Sequence, residues 1–364
     1  MKIFSFLKKN LISFVFVIFA VFLVLFSNSN LNAARSGLKL WANNVVPALF
    51  PFFVATELLS HTNVVYYLSK HLDKYMRPIF NVPGVATFPF IMGLISGYPV
   101  GAKIVSDLYS KGACSKEEAE RMVAFTNNSG PLFIIGTVGS AFYSNSLIGI
   151  ILLITHILSS ISMGLILGYI SKRKRSVNFI TKNKRHSDNS IALVGNKKFN
   201  MYSSSYEILP QKDISIRELG SILGSSVLSA IKTVLTIGGF VTIFSVIISI
   251  LKKSGILLFI SEIIAKIFNI DSDMVLGTIT GIIEFTNGLS VISNIHLKNI
   301  SINLIVSAFI IGFGGISVTL QVLSIISENK IGIRTYFFSK IAQGLIASLY
   351  TFLILLITIF NLNL

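Results

Sequence analysis

The residues able to do chemistry in this sequence gather in four short stretches, each set within strongly apolar runs. They are GLISGYPVGAK at 93–103, FTNNSGPLF at 125–133, GIIEFTNGLS at 281–290 and IIGFGGISV at 310–318. In the first, Pro99 cannot donate an amide hydrogen, and Gly97 and Gly101 on either side allow a sharp reversal. A helical hairpin with its tip at Ser96, Gly97, Tyr98 and Pro99 is the simplest object with those properties. Its second arm opens with free amides and a helix dipole that favour an anion. The third stretch offers an equivalent tip through Glu284, Thr286, Asn287, Gly288 and Ser290. In the second, Asn127, Asn128 and Ser129 can hydrogen-bond a ligand while Gly130 and Pro131 interrupt a helix. In the fourth, Gly312, Gly314 and Gly315 make the break, with Ser317 and Gln321 nearby.

Charge inside an apolar segment is costly and marks function. An inward-facing Lys103 suits an acidic ligand, and Glu284 suits a coupling cation, a proton or the lysine itself. A purely structural Lys103–Glu284 ion pair is the plain alternative. Lys232 and Glu57 lie nearer helix ends, where they can snorkel. His156 is expected to be a hydrogen-bonded structural histidine, and Gly136 and Gly139 to be close-packing positions between helices. No phosphate loop, nucleophile elbow or metal-ligand cluster accompanies these groups. The single Cys114 excludes an internal disulfide and a paired thiol site. The chemistry is therefore that of a binding site with no cofactor, for which a proton or a sodium ion is the candidate coupling ion.

These residues need elements to hold them at depth. The 364-residue chain is 52% hydrophobic and 13% charged, with a mean hydropathy of +0.76, as expected of a polytopic membrane protein. Runs of the roughly 17–25 residues needed to cross a bilayer lie near 11–27, 40–60, 122–142, 146–170, 233–251, 302–327 and 335–361, so seven crossings are expected. Irregular backbone at that depth is tolerated where protein buries it or a watery cavity meets it.

The net charge of +16 points to the membrane surface rather than to nucleic acid. Eleven of the 31 Lys and Arg lie between Lys172 and Arg217, and no aromatic–basic platform accompanies them. With the N-terminus inside, 22 Lys and Arg fall on the cytoplasmic side and six outside, in keeping with the positive-inside rule. Lys103, Lys232 and Lys340 remain at membrane depth. The basic flank and apolar core of residues 1–34 read as a retained signal-anchor helix, since LNAA at 31–34 is a poor cleavage site.

Beyond the anchor, residues 35–171 and 218–364 run through the same order of elements on either side of a basic cytoplasmic linker, 172–217, read as a flexible connector. Each half has a spanning helix, a short amphipathic stretch, a Gly-interrupted segment, a broken helix and a closing helix. An offset of 188 residues aligns Phe52 with Phe240, Asn81 with Asn269, Ile91 with Ile279 and Gly93 with Gly281. With three crossings in each half, the halves are inverted, as in many secondary transporters. The expected fold is an all-α inverted repeat with two re-entrant hairpins and two broken transmembrane helices, plus the N-terminal helix.

The strings GLISGYPVGAKIVSDLY, KEEAERMVAFTNNSGPLFIIGTVG and EFTNGL resemble the YlbJ-type sporulation integral membrane proteins of the nucleoside-recognition, or Gate, group, over nearly the whole chain after residue 35. That group is distantly similar to the concentrative nucleoside transporters, whose paired hairpins and unwound helices enclose the substrate. The resemblance implies a multi-pass protein of the mother-cell-derived outer forespore membrane that moves dipicolinic acid during sporulation. Lys103 and the Asn amides would then meet carboxylates, and Tyr98 or Phe313 would stack on the pyridine ring. A nucleoside or nucleobase carrier, or a non-transporting scaffold docked through the 172–217 loop, are the alternatives. The expected partners are a small anionic or nucleoside-like substrate and the bilayer, with homo-oligomerisation compatible and nucleic acid not.

Overall fold

The computed structural model describes residues 10–186, 216–295 and 300–362, and these are helical throughout with no strand. Helix α1 (Leu11–Leu25) is apolar and exposed on nearly every side, and meets α2 (Ser27–Leu40) at 97°. Asn30 Nδ2 donates to Phe22 O and Leu23 O at 3.0 and 3.3 Å, tying the start of α2 to the last turn of α1. A π-wound turn, Trp41–Val45, leads into α3 (Val46–Ser60). There follow the amphipathic α4 (Val64–Phe80), a hairpin of α5 (Thr87–Ser96) and α6 (Val100–Ser110), and α7 (Lys116–Thr126). Helix α7 starts in a capping box, Ser115 with Glu118. It unwinds over 127–130 and resumes as a π-wound segment, Phe133–Phe142, before α8 (Ser146–His186).

The second half repeats this order with α9 (Ile216–Lys253), α10 (Ile256–Phe268), a hairpin of α11 (Ser272–Ile283) and α12 (Phe285–Ser293), then α13 (Ile300–Phe313), α14 (Gly315–Ile326) and α15 (Arg334–Leu362). The backbone keeps the 188-residue register. Asn81 and Asn269 end α4 and α10 in the same left-handed conformation, φ 54° and 52°, each amide bonding back to the carbonyl four residues earlier. Gly93 lies against Gly101 across the first hairpin, and Gly281 against Gly288 across the second.

Four helical stretches are long and apolar enough to cross a membrane, Ser146–Arg173, Glu218–Lys253, Ile300–Asn329 and Arg334–Ile357, and six crossings result if each of two bent pairs spans. That is fewer than the seven expected from the sequence. The run at 40–60 is divided by the π turn and contains Pro51, and the run at 122–142 by the unwound 127–130, so neither forms one continuous helix. Helix α8 also continues past Lys172 to His186, where the linker was expected to begin; residues 187–215 of that linker lie outside the described residues.

One core joins the two halves: Met122, Phe125 and Ile134 pack in the same cluster as Phe285, Leu289, Ile310 and Tyr336. A second cluster, with Leu49 and Phe53 facing Val234, Ile237 and Val241, fixes α3 along α9. Trp41 Nε1 donates to Val234 O at 2.9 Å across this seam. The hairpins and breaks are thereby held between the two closing helices on one side and the α3–α9 pair on the other.

Candidate functional site

The first hairpin turns at Gly97, whose φ of 86° favours glycine, and the Tyr98–Pro99 peptide is cis. Its backbone lies directly on the unwound segment of the first broken helix. A Cβ on Gly93 or Gly101 would come within 1.7 or 2.3 Å of Thr126 O, and one on Gly97 within 2.8 Å of Gly130 N. The hydroxyls of Thr56 and Ser96 hydrogen-bond at the root of the tip.

The second hairpin turns through one extended residue, Glu284 (φ −141°, ψ 113°), which is 0% exposed. Its carboxylate accepts from Thr286 N at 3.2 Å, Asn287 N at 2.7 Å and Asn287 Nδ2 at 2.9 Å, capping α12. Asn287 Nδ2 also reaches Ser245 Oγ at 3.0 Å. The tip rests on the break of the second broken helix, where a Cβ on Gly315 would lie 3.1 Å from Gly281 O and 3.2 Å from Phe285 N. The two halves thus build the same relation, hairpin tip against helix break.

Where these tips meet is a narrow crevice. Gly97, Tyr98, Gly130, Phe133, Phe285, Thr286 and Gln321 line its inner wall, and Val45, Leu49, Ile237 and Val241 the other. The Phe285 ring meets Tyr98 edge-on at 5.2 Å and Phe133 at 5.1 Å. Gln321 Oε1 is buried with no hydrogen-bond partner, as are Asn127 Oδ1 and Ser317 Oγ close by. Such groups, kept without partners inside a protein, are what a polar ligand or water completes.

Of the residues expected to bind substrate, Gly97, Tyr98, Gly130 and Thr286 line this crevice. Ser96, Pro99, Gly101, Asn127, Asn128, Ser129, Glu284, Asn287, Gly288, Gly314, Gly315 and Ser317 belong to the turns and breaks that shape it. Four expectations fail. Lys103 does not face Glu284: its ammonium lies 3.0 Å from Glu57 Oε2 and 2.6 Å from Ser229 Oγ, on the side of α6 toward α3 and α9. With that, Glu57 is a partner rather than a snorkelling end residue. Phe313 stacks on Phe309 at 6.0 Å and does not line the crevice, because α13 directs it toward α15, where Phe337 meets it edge-on. Gly136 has only Leu132 of its own turn near its Cβ position, whereas Gly139 packs on Gly149 with 2.6 Å between that position and Cα.

Residues of α15 that the sequence reading left aside hold the unwound segment from behind. Asn127 Nδ2 donates to Tyr336 Oη at 3.0 Å, and Asn128 Oδ1 accepts from Gln343 Nε2 at 3.0 Å and from Lys340 Nζ at 3.4 Å. Lys340 is 3% exposed and also donates to Gln343 Oε1 at 2.8 Å. His156 Nε2 accepts from Ser129 N at 3.1 Å, the structural bond expected of it. The signal available was spacing: Tyr336, Lys340 and Gln343 fall at i, i+4 and i+7, one face of a helix.

Hairpin tips seated on broken helices meet at a crevice between the two halves. A family model described as Gate, nucleoside recognition, matches residues 42–174. The sporulation integral membrane protein YlbJ of Bacillus subtilis (strain 168) is 32% identical over 347 residues, 94% of this chain and 82% of the relative. The chain belongs to the YlbJ family. No solved structure matches it. The YlbJ relationship covers both halves, so the second hairpin and the α15 cluster lie within the shared length as well as the Gate-matched first half.

Proposed function

We propose that this YlbJ-family protein is a secondary transporter that carries a small aromatic carboxylate, dipicolinic acid being the leading candidate, across the outer forespore membrane during sporulation. The observation that carries this reading is the crevice, set where both hairpin tips and both breaks converge. Tyr98, Phe133 and Phe285 offer aromatic surface against which a flat ring can pack. Gln321 and Thr286 offer polar atoms at its edge. The test is uptake of labelled dipicolinate into liposomes containing the purified protein. Saturable uptake that Phe285→Ala or Tyr98→Ala weakens about tenfold or more supports it, and absence of saturable uptake or binding sinks it. The nucleoside-recognition description of the matching family model favours a second reading, a nucleoside or nucleobase carrier. Uridine or adenosine competing for the site would favour that one.

A further inference from the structure

We propose that Lys340, not Lys103, supplies the positive charge that makes the crevice select an anion, an inference that rests on the transport reading above. Lys103 is spent: its ammonium is paired with Glu57 at 3.0 Å, and its side chain is 34% exposed. Lys340 is the opposite case. It is 3% exposed, and among the described residues no carboxylate lies within ion-pair distance of it. The groups around Nζ are the amide oxygens of Asn128 and Gln343 and, 5.8 Å away, the Tyr336 ring. The buried acids in the region are engaged elsewhere, Glu284 by its own helix and Glu120 by Gly332 N at 3.1 Å and Thr335 Oγ1 at 3.3 Å.

A buried cation without a counter-charge is expensive, and an anion brought near it relieves that cost. The route to the crevice is short. Asn128, which accepts from Lys340, is two residues from Gly130 in the crevice wall, at most about 7 Å along the chain. The tip of the first hairpin packs on this same segment, a Cβ on Gly97 falling 2.8 Å from Gly130 N and 3.7 Å from Asn128 O. A buried unit charge is screened less than one at the surface and still acts on neighbouring groups. Lys340 is a positioning and selectivity residue: it holds Asn128 and biases the crevice toward negative charge without itself lining it.

The experiment compares binding of pyridine-2,6-dicarboxylate with that of its neutral diamide, by titration calorimetry on the detergent-solubilised full chain. The wild type is expected to prefer the dianion by about tenfold or more. Lys340→Gln keeps hydrogen-bonding capacity beside Asn128 and should abolish the preference, read as the ratio of the two affinities; Lys103→Gln should keep it. Because Lys340→Gln alters a buried network, Gln343→Glu provides a second test. It sets a carboxylate where Oε1 now lies, 2.8 Å from the ammonium, and should also erase the preference. A dianion preference that survives both changes, or a wild type that binds the two probes equally, overturns the role of Lys340 alone. A wild type that binds neither probe overturns the transport reading, and this inference with it.

Discussion

The two hairpins occupy matching places in the two repeats, yet they use their charged residues in opposite ways. The first turns through Gly97, Tyr98 and Pro99, and its lysine leans out to a half-exposed carboxylate on another helix. The second turns through Glu284 alone, which stays fully buried and holds its own helix together. Two charges that look complementary in sequence never meet. What the pair shares is backbone, not side-chain chemistry: a glycine-lined reversal seated on a break in a neighbouring helix. The architecture therefore depends on close approach, while the charges are free to serve local ends.

That contrast can be broken most severely at the close approaches. Gly101→Ala or Gly93→Ala drives a Cβ into the Thr126 carbonyl, a backbone atom that cannot step aside. Loss of about 3 kcal/mol is expected, seen as a large fall in thermal stability in detergent. Gly288→Ala should match it, since its Cβ would fall 2.0 Å from Gly281 Cα. Next comes Glu284→Ala, which strands two buried amides and should cost about 1–3 kcal/mol, with Glu284→Gln milder because it keeps one acceptor. The equivalent change in the first hairpin, Lys103→Ala, should cost only about 0–1 kcal/mol because the pair with Glu57 is solvent-screened. A double-mutant cycle of Lys103→Ala with Glu57→Ala measures that term directly. If it exceeded the Glu284→Ala effect, the two hairpins would have exchanged roles. The smallest effect is expected at Gly136→Ala, within about 0.5 kcal/mol, since its Cβ position has only Leu132 Cδ1, at 3.7 Å, for a neighbour.

Hairpins, breaks and the 188-residue register were legible because glycine, proline and asparagine act on the few residues around them. Asn81 and Asn269 are the clearest case, the same left-handed cap at the same offset. The partner of Lys103 was not legible. Glu57 lies 46 residues earlier and Ser229 lies 126 later, and only the packing of α3 and α9 on α6 decides which face of α6 they meet. The capping role of Glu284 was not legible because glutamate is less common than serine, threonine, aspartate or asparagine at that position. Phe133 and Phe285 could not be told from the other aromatic residues among 29 phenylalanines, since lining a crevice and filling a core take the same side chain. Lys340 was visible as a charge at depth, but its setting required the unwound segment to fold back against α15.

The bare contact between the first hairpin and residues 126–130 also bears on how such a protein can move. Packed side chains shift between alternative arrangements by changing rotamer, but at Gly93, Gly97 and Gly101 there are no rotamers to change. The contact between hairpin and unwound segment therefore has few side-chain rearrangements open to it. The opposite wall, Val45, Leu49, Ile237 and Val241, is built of side chains that do have alternative rotamers.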